Sequence, residues 1–408
     1  MKSGKLLVAI IAICYFILRL WVGSPAIAGE EPDTTAEAAI VMDLHSGQVI
    51  WAKDENTARP PASTTKILTA LIALEEGNLQ DEVTISDAAV RVDGTRVYLV
   101  AGEKQSLENL LYAMLLNSAN DAAYAIAEHI GGSIEGFAQK MNEKAKSLGA
   151  RNSNFINPNG LADENHYTTA LDLALISRAA MANPTFREIV ATETKAWQGA
   201  EWTSTLINQN KLLSGYEGAL GIKTGYTSKA KWCLVSAAER NGEAFLVVVL
   251  GDTKNGVWSD SKILLDYGFN NFYTQNLATK GQVVAQVEIE GQKLELATIS
   301  DLTYLQSKNN PFHPEEIINV MALKAPIEQG DKVGEMEYLR NGQVLDKLDL
   351  VAKNKIKNRI SLWEWWSGGA TVVIGILILG FIIRLKNNNR TRGYRTFCSS
   401  KRYRFYKS

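Results

Sequence analysis

An α/β sandwich, followed by a small all-β domain and a C-terminal membrane-spanning helix, is the architecture the sequence predicts. Three observations point to it. Short strand-like segments lie at both ends of the N-terminal two thirds of the chain, with a block of helical periodicity between them, so the strands must meet in a sheet covered by helices. Beyond residue 274 that periodicity gives way to alternating segments joined by tight turns. Near the end, an uncharged apolar run from Gly368 to Ile383 has, with its flanks, about the ~20 residues that a bilayer requires.

Composition sets wide bounds. The chain has 408 residues, 46% of them apolar, with a net charge of −1, enough for two domains and without the basic excess of a nucleic-acid-binding protein. Lys2 and Lys5 precede an apolar run from Leu6 to Leu18, and Ala26-Ile27-Ala28 offers a small-residue cleavage site. Residues 1–28 therefore read as a signal peptide, with an uncleaved anchor as the alternative. Either way the chain leaves the cytoplasm. Of three cysteines, Cys14, Cys233 and Cys398, only Cys233 lies in the exported part, which excludes an intrachain disulfide there. His45, His129, His166 and His313 form no metal-ligand spacing, so no metal or other cofactor is expected.

The exported chain opens with a hairpin: Ala39-Ile40-Val41-Met42-Asp43, a Ser46-Gly47 turn, then Val49-Ile50-Trp51. Pro60 and Pro61 interrupt the chain. Ser63 follows, and Ile67, Leu68, Leu71, Ile72 and Leu74 then recur at helical spacing up to Gly77. This helix is apolar on most faces and should be buried. Ser63 reads as an N-cap or as a reactive hydroxyl. Lys66, three residues on and on the same face, reads as a solvated cation or as a desolvated amine able to act as base.

Gly94 to Gly102 is a connection. Helices are expected over Leu107–Leu116, Asp121–Ile130, Ile134–Leu148 and Thr168–Met181, the last capped by Thr168 and stopped at Asn183-Pro184. Asn117-Ser118-Ala119-Asn120 and Asn157-Pro158-Asn159-Gly160 are turns. A strand reaches Gly225 through Lys223 and Thr224. Trp232–Ala238 and Ala244–Leu250 form a hairpin about Asn241-Gly242, and Ser259–Tyr267 closes the unit as a helix. In the next domain, Val283–Ile289 pairs with Lys293–Ile299 and Glu335–Leu339 with Leu345–Leu350. Trp363, Trp365 and Trp366 precede the final apolar run, and a tail rich in Arg and Lys follows it. That asymmetry orients a cell-membrane anchor with the tail in the cytoplasm and the bulk outside.

Ser63-Thr64-Thr65-Lys66, Ser118-Ala119-Asn120 and Lys223-Thr224-Gly225 occur in this order. Sets of this kind characterise penicillin-binding proteins and class A β-lactamases. Together with Asn157-Pro158-Asn159-Gly160-Leu161 and Leu265-Asp266-Tyr267-Gly268-Phe269, they resemble the D-alanyl-D-alanine carboxypeptidases, low-molecular-mass penicillin-binding proteins of peptidase family S11. The resemblance spans about residues 36–355. It implies the penicillin-binding-protein/β-lactamase-like transpeptidase fold, an antiparallel sheet sandwiched by helices. The expected boundaries are 29–273 for the catalytic domain, 274–355 for the all-β domain, 361–385 for the anchor and 386–408 for the tail.

The resemblance further implies removal of the terminal D-alanine from peptidoglycan stem pentapeptides through an acyl-enzyme on Ser63, with β-lactams as covalent inhibitors. Lys66 would take the serine proton, and Ser118 and Lys223 would extend the proton route. Asn120 would orient the peptide, Lys223 and Thr224 would hold the substrate carboxylate, and Gly225 would let the strand edge approach it. The backbone amides of Ser63 and Tyr226 would form the oxyanion hole. A β-lactamase would need a Glu-x-x-Leu-Asn segment after Asn120, and none follows. An inactive scaffold would not need the three intact motifs. Two positions depart from the family pattern: Val257 stands where many members carry a carboxylate-binding arginine, and Lys231 where small residues are usual.

Overall fold

The computed structural model describes residues 31–358 and 373–384. The expected signal peptide, 1–28, and the tail, 386–408, lie outside these residues. Of the expected anchor, residues 373–384 are described and are helical. Among the described residues no helix is long and apolar enough to cross a membrane. The chain falls into two compact units: residues up to Leu277 together with Thr303–His313, and Ala278–Leu302 together with the residues from Pro314 on.

In the first unit, β1 (Ala38–Asp43), β2 (Val49–Lys53), β3 (Ala219–Thr227), β4 (Lys231–Arg240) and β5 (Glu243–Asp252) form one antiparallel sheet in the order β2-β1-β5-β4-β3. The chain thus places its first and last strands side by side, with Ala39 opposite Val249. β1 is buried along its whole length and β5 nearly so. Both faces are covered, which is why these strands read as continuous apolar runs rather than alternating ones. Ile40, Met42, Leu246 and Val248 point into one core, and Val41, Val247 and Val249 into the other.

The first core is shared with α1 (Lys66–Glu76), α2 (Leu107–Leu116), α3 (Asn120–Gly131), α4 (Ile134–Ser147) and α5 (Ala170–Met181); the second is closed by α6 (Gly256–Asn271). α1 is the centre of the helical layer, with every residue from Lys66 to Ala73 buried. Each of its fully buried Leu and Ile side chains contributes roughly 1.5–3 kcal/mol. Gly77 ends the helix in an extended conformation, not a left-handed one. Glycine is required there for space, because a Cβ would lie 2.6 Å from the Leu107 side chain.

Several local expectations shift. Thr169, not Thr168, caps α5, its hydroxyl accepting from Asp172 N, while Thr168 pairs through its backbone with Arg59. Asn183 does more than stop α5: it caps a further helix, Pro184–Ala191, with proline at its first position. β3 does not end at Gly225 but runs to Thr227. A hairpin of Thr194–Gln198 with Thr203–Ile207 escapes notice in the sequence because its residues are mostly polar and exposed.

The second unit is a five-stranded antiparallel sheet in the spatial order 283–289, 292–298, 343–352, 332–340, 315–320. The edge strand Glu315–Val320 carries no alternating burial, so it gives no strand signal in the sequence. Leu302–Ser307 pairs with Phe272–Ala278 instead of joining this sheet. Lys308 donates to Asn271 O through its amide and to Phe269 O through Nζ. These bonds bind 303–313 to the first unit, although the sequence boundary at 274 assigned that segment to the β domain.

Candidate active site

The site is assembled around the turn that precedes α1. Pro60 and Pro61 lead into a single 3-10 turn, Ala62–Thr65, and the α-helix begins only at Lys66. Ser63 is therefore not an N-cap. Thr64 closes the turn through its hydroxyl, which donates to Pro61 O at 2.6 Å. Ala62 has φ +48°, a left-handed conformation that costs a non-glycine residue on the order of 1 kcal/mol. Two glycines make room for this turn. A Cβ on Gly160 would sit 1.8 Å from Ala62 O, and one on Gly225 would sit 3.0 Å from Ser63 N. The edge strand β3 thus passes directly against the Ser63 amide.

Ser63 is half-buried, whereas Lys66 is wholly buried. The Lys66 amine lies 2.9 Å from Ser63 Oγ, 2.7 Å from Asn120 Oδ1 and 2.7 Å from Asn159 O. The last two are carbonyl oxygens and can only accept. Burial, and then the positive charge of Lys223, hold the Lys66 pKa well below its usual value, with Asp121 pulling the other way. A neutral Lys66 has two N–H groups for the two carbonyls and one lone pair left, which faces the Ser63 hydroxyl. In that neutral form the amine's basic electron pair would be aimed at the serine proton.

The surroundings fix this arrangement. Asn120 Nδ2 donates to Asp93 O at 2.6 Å, which sets the amide with Oδ1 toward Lys66. Asp121, fully buried, accepts from the amides of Val97, Leu99 and Ala122 and so fastens the 94–102 connection to α3. Burial raises its pKa against those bonds. Asn157 Oδ1 accepts from Gly160 N at 2.7 Å, holding the turn that presents Asn159 O. His166 Nδ1 accepts from Ile156 N at 3.2 Å, so Nε2 carries the proton and donates to Thr65 Oγ1 at 2.9 Å. Burial lowers the His166 pKa to about 4, which keeps this tautomer at neutral pH. Asn159 is not recognisable as a partner of Lys66 from the sequence, because its contribution is a backbone carbonyl. Asp121 and His166 act through the backbone or through Thr65 and belong to no motif.

Ser118 also has a left-handed backbone, φ +62°. It is 5% exposed and stands between the end of α2 and Asn120, the first residue of α3. On the facing strand, Lys223 is buried and donates to Thr224 O at 3.1 Å, and burial brings its pKa down to about 7. A substrate anion would raise it again. Tyr226 is 56% exposed and stacks on Trp232, with ring centroids 4.8 Å apart. Cys233 is buried in β4, and burial pushes its thiol up to about 12.

Both departures from the family pattern have a structural account. Val257, in the first turn of α6, is 1% exposed and packs in the apolar core behind the sheet. Lys231 pairs with Glu37 at 2.5 Å, and Glu37 also pairs with Arg59. The lysine thereby ties β4 to the start of β1.

A serine hydroxyl facing a buried amine, beside a strand edge that carries no side chain at Gly225, is the machinery of an active-site-serine enzyme of acyl transfer. Comparison with known proteins gives the particular family. The family model for D-alanyl-D-alanine carboxypeptidase matches residues 26–254, and that for the penicillin-binding protein 5 C-terminal domain matches residues 272–358. The chain is 33% identical over 334 residues to the D-alanyl-D-alanine carboxypeptidase DacF of Bacillus subtilis, covering 79% of this chain and 86% of that one. It is 40% identical over 244 residues to DacB2 of Mycobacterium tuberculosis, covering 58% and 84%. Among solved structures, penicillin binding protein 5 from Haemophilus influenzae superposes with a TM-score of 0.70 at 28% identity, covering 81% of this chain and all of that one. The chain belongs to the D-alanyl-D-alanine carboxypeptidase family of S11 peptidases, and it is a serine-type carboxypeptidase.

Proposed function

We propose that the enzyme removes the terminal D-alanine from peptidoglycan stem peptides with Ser63 as nucleophile and Lys66 as its base. The observation that carries this reading is the 2.9 Å contact between Ser63 Oγ and a buried Lys66 amine whose other two partners are carbonyls. Attack by Ser63 on the D-alanyl-D-alanine carbonyl sends the hydroxyl proton to Lys66, and Ser118 and Lys223 relay a proton to the departing amine. The amides of Ser63 and Tyr226 receive the oxyanion. Asn120 orients the peptide backbone. Lys223 and Thr224 hold the terminal carboxylate by charge-assisted hydrogen bonds. Water then releases the acyl group. The β-lactam ring enters by the same attack and leaves slowly.

The reading extends to location. A signal peptide over 1–28 exports the chain, and residues 361–385 anchor it in the cytoplasmic membrane with the basic tail inside. The Trp-flanked apolar run and the basic residues after it support this orientation. Labelling cells with a fluorescent penicillin tests both parts together. The full chain should fractionate with membranes and a chain ending at residue 360 with the soluble material, both active and both labelled on the peptide containing Ser63. A truncated protein that stays on the membrane would remove the anchor, and a label on another peptide would remove the nucleophile.

A further inference from the structure

Gln209 is the residue that joins the two walls of the cleft. Its backbone amide donates to Leu116 O at 3.3 Å, the last residue of α2, and its Nε2 donates to Asn117 O at 3.1 Å, next to Ser118. From the other side, the Thr224 hydroxyl on β3 donates to Gln209 Oε1 at 3.4 Å. The neighbours of Gln209 hold it rigidly. Asn208 Nδ2 donates to Val190 O and Thr192 O, Asn208 Oδ1 accepts from Asn210 N, and Asn210 Oδ1 accepts from Leu212 N. The Gln209 side chain itself is exposed, and on this fixed backbone it is held only by its bonds to Asn117 and Thr224.

We propose that Gln209 is a specificity-determining residue for the substrate's terminal carboxylate, an inference that rests on Lys223 and Thr224 marking that end of the cleft. A threonine hydroxyl has one proton. Once Thr224 donates it to the carboxylate, the long bond to Gln209 is given up and Oε1 would face an anion. Swinging the exposed side chain so that Nε2 leaves Asn117 O, which water can then satisfy, brings an N–H donor to the carboxylate in place of that oxygen. The end of the cleft is then read by one cation, Lys223, and one neutral amide. Val257 lies in the core behind the sheet, so it adds no charge here. The charge at position 209 sets how strongly a carboxylate is preferred.

The test is the rate of acylation of Ser63 by benzylpenicillin and by its methyl ester, compared as a ratio across Gln209→Glu, wild type and Gln209→Arg. The Lys223→Gln variant serves as a reference. Acid preference should fall by about tenfold or more in the Glu variant, since like charges would meet, and rise in the Arg variant, while ester rates change little. Gln209→Met supplies a neutral variant without hydrogen bonds, expected to lose part of the acid preference. If Lys223→Gln lowers the ratio but the position-209 series is flat, or falls equally on acid and ester, Gln209 has no role in carboxylate selection. If Lys223→Gln leaves the ratio unchanged, the carboxylate end itself is misplaced and the proposal goes with it.

Discussion

Ser63→Ala should abolish both hydrolysis and covalent penicillin labelling. The expected loss in turnover is on the order of 10⁵- to 10⁶-fold, as for removal of the nucleophile in other serine hydrolases. Thr64 and Thr65 follow Ser63, but neither can take its place. The Thr64 hydroxyl is committed to Pro61 O, and Thr65 Oγ1 bonds to His166. Both threonines are fully buried, whereas Ser63 is not. The alanine variant should fold normally, because Ser63 does not cap α1 and its removal only frees one contact of Lys66. Mass spectrometry of the penicillin-treated variant would reveal any remaining adduct, and an adduct formed at a rate near that of the wild type would sink the assignment.

Lys66→Arg should be nearly as damaging while keeping the positive charge. A guanidinium does not lose its proton in proteins, so it cannot accept one from Ser63. General-base catalysis is worth about 10²- to 10⁴-fold, and the loss should reach the upper end because the larger head group must also displace Asn120 and Asn159 from the cage. The sign of the pH effect follows. In the proposed mechanism Lys66 acts in its neutral form, so wild-type acylation should decline as pH falls through its depressed pKa. The Arg variant should show no recovery on raising the pH across the neutral range. Stopped-flow measurement of acylation checks both, and near-wild-type rates in the Arg variant at pH 7 would show that position 66 supplies only a fixed charge.

The parts of this molecule legible in its sequence are those where one residue type has one physical use. β1 and β5 were readable as unbroken apolar runs, and α1 as a helix apolar on most faces. Asn241-Gly242 marked its hairpin because both residues adopt left-handed conformations, φ +55° and +84°. The three motifs marked the site through their resemblance to those of penicillin-binding proteins, which is visible because a serine, an amine and a glycine at the strand edge are residues of fixed type. What stayed hidden works through the backbone or through long-range pairing. Asn159 contributes a carbonyl, and Leu302–Ser307 finds its partner strand across the intervening residues of the other unit. Gln209 looks like any polar loop residue until Asn117 and Thr224 are seen on either side of it.

The two buried lysines also shape how the protein responds to pH when it unfolds. In the unfolded chain both amines hold a proton up to the ordinary lysine value of about 10.5, whereas in the folded protein both pKa values are lowered, that of Lys223 to about 7. Between those limits the unfolded state binds more protons, so these groups make folding more favourable as pH rises. At neutral pH and below they oppose folding, Lys223 alone by a few kcal/mol, and the apolar packing around α1 and β3 has to overcome that deficit. The amines that equip the enzyme therefore weaken it most in the pH range below their ordinary titration. Unfolding midpoints of the wild type and of Lys223→Met should accordingly differ in favour of the variant at pH 7 and converge toward pH 10. A gap that stays constant across that interval would mean that the folded protein keeps Lys223 protonated.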